Sequence, residues 1–227
     1  MLLHVFGGGA RHCNATMHQR LMDFRLHCNR TMCVVGPSHS GKTTFVLRLL
    51  EKKKDVFQRE MKRVVWCYGI YQHELHSKLQ EEGYEVHNGI IPVSEIQPYD
   101  IIVLDDLIHE SKNSHDVTAM FTRAAHHKPC FIIFITQNLF PPGKEARMRN
   151  LNTHYYVIFK NPRDKSQFEV IARQIRARNV RPLIDIFEDA TKKPFSYLFL
   201  DLTQECPDSL RFRTNVFEGP MIIYKLQ

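Results

Sequence analysis

Apolar runs and amphipathic stretches alternate along most of this chain. "TMCVVG" (residues 31–36) is short, apolar and stopped by a glycine, the pattern of a buried strand. Residues 41–54 follow with Phe45, Val46, Leu49 and Leu50 at helical spacing, and close on lysines that suit a helix C-terminus. "RVVWCYG" (63–69) predicts a second strand and 73–83 a helix ended by Gly83. Residues 99–107 predict a third strand with paired aspartates at its end, 116–127 a helix, and 130–138 and 154–161 two further strands. Helices are predicted over 166–176 and 183–191, and two late strands over 195–202 and 210–216. Short apolar strands separated by helices require a mostly parallel sheet covered on both faces, an α/β fold. The last two strands are close in sequence and are candidates for an antiparallel edge. Residues 1–22 carry a glycine triplet and mixed polarity and predict a loosely ordered leader; 23–227 read as one domain.

Composition narrows the class. Of 227 residues, 43% are hydrophobic and 11% aromatic, which predicts a packed core rather than disorder. Lys and Arg number 31 against 24 Asp and Glu, a net charge of +7 that suits a polyanionic partner such as nucleic acid without requiring one. The six cysteines form no disulfide framework, and Cys33, Cys67 and Cys130 fall inside predicted strands, so a reducing, intracellular compartment is expected. Cys13 and Cys28 each follow a histidine, at no recognised zinc spacing. No apolar run reaches membrane-spanning length, and "MLLHVF" lacks the basic start of a signal peptide.

The chemistry concentrates where strands end. Gly36-Pro37-Ser38-His39-Ser40-Gly41-Lys42-Thr43, followed by Thr44, is a P-loop pattern between a predicted strand and a predicted helix. Its backbone N–H groups and the helix N-terminus suit phosphates, Lys42 the β and γ phosphates, and the Thr43 hydroxyl Mg2+. ATP and Mg2+ are therefore the expected cofactors. "IIVLDD" ends in Asp105, the candidate metal-side carboxylate, and Asp106, the candidate base for the attacking water. Gln137, after "FIT", is a candidate γ-phosphate sensor, although a loop amide at that place also caps ordinarily. Arg123 sits in a predicted helix, where an arginine is most often solvated.

"GPSHSGKTT", "IIVLDDL", "MFTRAAHHK", "FIIFITQNLFPPGKEARMRNLNTHYYVIFKNPRDKSQ" and "IARQI" together resemble the genome-packaging ATPases of the FtsK–HerA superfamily. The resemblance is strongest to the adintovirus and Polinton (Maverick) type, more distant to the adenovirus and poxvirus types, and covers roughly 23–217. It implies a RecA-like core with the "TQN" strand between the P-loop and Walker B strands. It further implies a homo-oligomeric ring that pumps double-stranded DNA into a viral capsid, engaging capsid or portal-vertex proteins, in the host nucleus or at a viral assembly site. By the same resemblance Lys42 and Thr43 serve phosphate and metal, Asp105 the metal, Asp106 the base, Gln137 the sensor, and Arg123 is a trans-acting finger. Two departures stand out: the base position holds Asp106 where the superfamily often has glutamate, with Glu110 as fallback, and His39 stands where a small residue is commoner.

A translocase grips phosphates without reading bases. Arg163, Lys165, Arg173, Arg176 and Arg178 cluster within 160–181, and Lys144, Arg147 and Arg149 are read as a loop after the sensor strand. A solvated basic face with intersubunit salt bridges accounts for the same residues, and "NPRD" is also a turn signal. Two other functions fit the P-loop: a DNA- and procapsid-binding protein switched by nucleotide with little turnover, and a small-molecule kinase, which lacks its usual arginine-rich lid here.

Overall fold

A computed structural model describes residues 4–6, 23–107, 120, 129–140, 144–217 and 220–226. The strands are β1 (His4–Phe6), β2 (Thr31–Val35), β3 (Arg63–Tyr68), β4 (Glu85–Asn88), β5 (Asp100–Asp105), β6 (Phe131–Thr136), β7 (Tyr155–Phe159), β8 (Tyr197–Asp201), β9 (Phe212–Thr214) and β10 (Ile222–Tyr224). The described helices are α1 (Lys42–Glu51), α2 (Lys53–Val56), α3 (His73–Glu81), α4 (Lys144–Leu151), α5 (Ser166–Ile175) and α6 (Arg181–Ala190). One sheet joins all ten strands in the order β1-β10-β9-β8-β7-β2-β6-β5-β3-β4.

The strands from β7 to β4 in that order run parallel. Every residue of β2, β6 and β7 is buried, the signature of strands covered on both faces. Side chains alternate between two cores. Cys33, Val35, Ile102, Leu104, Ile132 and Phe134 face α5 and α6. Met32, Val34, Val103, Ile133, Phe45 and Leu49 pack on the other face with α1. The predicted strand arrangement holds: β6, which ends in "TQN", pairs with β2 on one side and β5 on the other.

Direction reverses at β8, which is antiparallel to β7 and to β9, and β9 is antiparallel to β10. The antiparallel C-terminal strands predicted from sequence are present, but they are not the sheet's edge. β10 follows them, and β1 pairs with it in parallel. Of the leader, the structure describes only His4–Phe6, and these form a strand that the sequence reading did not anticipate. The helix predicted over 116–127 lies outside the described residues, Met120 apart.

Residues 144–151, read as a loop, are the helix α4. Its Arg149 is buried rather than presented to solvent, with its guanidinium 5.6 Å from the Phe134 ring. Arg149 is therefore removed from the candidate DNA contacts. "NPRD" is a turn: Arg163 N–H donates to Asn161 Oδ1 (3.1 Å), and Asp164 accepts from Ser166 N–H (3.0 Å) and Gln167 Nε2 (2.8 Å) at the start of α5.

Candidate functional site: the phosphate loop and the groove around it

β2 delivers the chain to the C-terminal rim of the parallel strands, where α/β folds hold ligands. Gly36 N–H donates to Thr136 O of the neighbouring β6 at 3.3 Å. A Cβ on Gly36 would stand 2.7 Å from Phe159 Cβ and 2.7 Å from Ser40 Oγ, so only glycine fits. The loop then turns through two left-handed residues, His39 (φ 61°) and Gly41 (φ 103°), into α1. Glycine is the natural occupant of both; histidine is among the residues that tolerate the left-handed region better than branched ones do. His39 thus occupies a backbone conformation that glycine would adopt without strain.

Lys42 bends back across the loop. Its Nζ donates to Gly36 O and Pro37 O, each at 2.8 Å. Burial lowers its pKa, while Asp105 and Asp106 pull the other way. Ser38 Oγ donates to Gln137 Oε1 at 3.3 Å, which ties the end of β6 to the loop.

Asp105 closes β5, and Asp106 takes a left-handed φ of 53° that turns the chain sharply off the sheet. Asp106 N–H donates to Ile135 O (3.4 Å) and Gly69 N–H to Asp105 O (3.3 Å), which fixes the turn between β3 and β6. Burial first, and the Asp106 charge second, push the Asp105 carboxyl up to about 6; Lys42 and the Trp66 indole act against them. The indole N–H makes no hydrogen bond of ordinary geometry.

These residues share one open groove of about 1350 Å³, lined among others by Ser38, His39, Ser40, Gly41, Lys42, Thr43, Thr44, Asp105, Asp106 and Gln137. The P-loop, the aspartate pair and the amide therefore converge, although they are up to 99 positions apart in sequence. Arg123 and the fallback base Glu110 lie outside the described residues. Among the described residues no group of three or more His, Cys, Asp or Glu could hold a metal ion, and Cys13 lies outside the described residues. The groove's other wall was not foreseen: Arg48, Phe159, Phe195, Tyr197, Asn215 and Phe217. No local motif marks them: Arg48 comes from α1 and Phe159 from the end of β7, and the reversal at β8 brings the other four to the rim.

No family model matches the chain, and no curated protein matches it in sequence. Solved structures do match in shape. The genome packaging NTPase of Sulfolobus turreted icosahedral virus 2, determined in complex with ATP-gammaS, is 12% identical, with a TM-score of 0.54 over 86% of this chain and 99% of that one. A KaiC-like protein from Pyrococcus horikoshii OT3 is 11% identical, with a TM-score of 0.43 over 86% of this chain and 90% of that one. The strand order and the phosphate loop thus define a RecA-like P-loop NTPase fold. No described helix is long and apolar enough to cross a membrane.

Proposed function

We propose that the chain is an ATPase that drives double-stranded DNA into a viral capsid as a homo-oligomeric ring, in the FtsK–HerA superfamily close to the adintovirus and Polinton type. The observation that carries the nucleotide reading is the convergence of Lys42, Asp105, Asp106 and Gln137 on one groove at the strand ends. The motif resemblance supports the packaging role, as does a fold shared with a viral genome packaging NTPase over nearly all of that protein.

Lys42 and the backbone N–H groups of 38–43 hold the β and γ phosphates. The Thr43 hydroxyl and Asp105 carboxylate are hard oxygen donors of the kind Mg2+ takes, and Mg2+ there supplies charge neutralisation for the leaving phosphate. Asp106 accepts a proton from water as the water oxygen bonds to the γ-phosphorus and the bond to the β-phosphate oxygen breaks, giving ADP and inorganic phosphate. Gln137 orients that water, and Arg123 acts on a neighbouring subunit's nucleotide. Exposed Arg163, Lys165, Arg173 and Arg178 face DNA phosphates. The surface pairs Lys165–Glu188 (3.6 Å) and Arg173–Glu169 (3.2 Å) are weak enough to exchange for them.

Steady-state ATP hydrolysis with and without double-stranded DNA tests the proposal. The rate rises with DNA in the wild type and is lost in Lys42→Ala and Arg123→Ala. A DNA-indifferent rate in the assembled ring would overturn the translocase reading.

A further inference from the structure

The groove runs past the phosphate loop on the side away from the aspartates. Sheet order puts β6 and β5 on one flank of β2, and β7, β8 and β9 on the other. β8 is antiparallel to β7 with Tyr197 opposite Phe159, and β9 is antiparallel to β8 with Arg213 opposite Phe199. The start of β8 and the end of β9 therefore emerge at the same rim as the phosphate loop. They deliver Phe195 and Asn215, both with left-handed backbone (φ 62° and 55°) and both lining the groove.

Phe195 is the more telling of the two. The left-handed region is unfavourable for a side chain with a Cβ, and such strain concentrates at ligand clamps. The turn that imposes it is tied: Ser196 donates to Lys193 O from both its N–H (3.3 Å) and its Oγ (2.7 Å). The strain does not serve core packing, because Phe195 is 71% exposed. Its position beside the loop is close. A Cβ built on Gly41 would lie 3.6 Å from Phe195 Cβ and 3.7 Å from Cδ1, so the ring stands against the first turn of α1.

We propose that Phe195 is the platform on which the nucleobase of the bound nucleoside triphosphate stacks. This rests on the nucleotide reading above. The γ-phosphate points to Asp105 and Asp106 and the base to the β8–β9 end. β5 and β8 are four strand spacings apart, about 19 Å, a span of the order of an extended nucleoside triphosphate with a contact at each end. Stacking on an aromatic face holds any planar base, so the platform supplies affinity rather than choice among bases.

The test titrates the full chain with ATP and with inorganic tripolyphosphate, which carries the phosphates and no base. Phe195→Ala weakens ATP about tenfold or more and leaves tripolyphosphate within about twofold. Phe195→Trp keeps ATP binding, and its fluorescence, after subtraction of the Trp66 signal of the wild type titrated in parallel, is quenched by ATP and not by tripolyphosphate. Lys42→Ala weakens both ligands. Unchanged ATP affinity in Phe195→Ala, or no ATP-specific quenching in Phe195→Trp, overturns the platform. A wild type that binds neither ligand overturns the nucleotide reading and the platform with it. A wild type that binds tripolyphosphate no less tightly than ATP overturns the platform alone.

Discussion

Gly36 has no room to change. Of the two atoms 2.7 Å from an added methyl, Ser40 Oγ and Phe159 Cβ, the second is anchored to the backbone of β7 and cannot swing away as a side-chain tip would. Gly36→Ala is expected to push the loop off Thr136 and to cost about 1–3 kcal/mol in stability, read by urea denaturation, with at least about a tenfold loss in nucleotide affinity. His76 gives a second expectation at this scale. Its Nδ1 accepts Gln72 N–H at 3.1 Å, its ring packs 4.2 Å from Tyr68 and 4.9 Å from Tyr71, and burial lowers its pKa. The unfolded chain takes up this proton near pH 6.5, as an ordinary histidine does, and the folded chain only at lower pH. The unfolded state thus binds more protons in that window, and stability falls as pH drops through it. Denaturation midpoints should decline between about pH 7.5 and about pH 5.5, and His76→Phe should flatten that decline. Gly36 to Thr44 and the Asp105–Asp106 pair were legible as candidates because each set is contiguous in the chain. Phe195 and Asn215 escaped notice because a positive φ in a phenylalanine or an asparagine leaves no trace in composition.

Elements were legible when their apolar pattern was strong. β2, β3, β5, β6 and β7 read plainly because burial on both faces leaves uninterrupted apolar runs. α4 did not, since "KEARMRNL" shows no apolar stripe and its described inward residue is an arginine seated over Phe134. β4 has three exposed residues among its four and sits at the sheet's edge, so neither alternation nor an apolar run announced it. The β8–β9 pair depends on a buried ion pair, Arg213 to Asp201 at 2.8 Å, with side chains 5% and 10% exposed. Removing one partner strands the other charge. Asp201→Ala should cost about 3–5 kcal/mol in equilibrium unfolding, whereas a surface pair such as Arg181–Asp185 (2.9 Å) should cost under about 1 kcal/mol.

Across the whole molecule, the cysteines report how completely the two cores exclude water. Burial pushes the Cys33 thiol up to about 12 and those of Cys67 and Cys206 up to about 11. Cys130 is fully buried, and Cys28 is half-buried. At about pH 8 a disulfide reagent should therefore leave Cys33, Cys67, Cys130 and Cys206 untouched in the folded protein and modify them on unfolding, as peptide mass mapping would show.

The sheet also imposes an order in time. A ribosome releases the phosphate loop early, yet β8 and β9, which complete the groove's far wall, begin only at Tyr197, and His4–Phe6 must wait for Ile222–Tyr224 before they have anything to pair with. For most of its synthesis the growing polypeptide owns the phosphate loop without the whole of the groove around it. On the proposed nucleotide reading, a half-made polypeptide would meet the phosphates but find no seat for the base until β8 has been made.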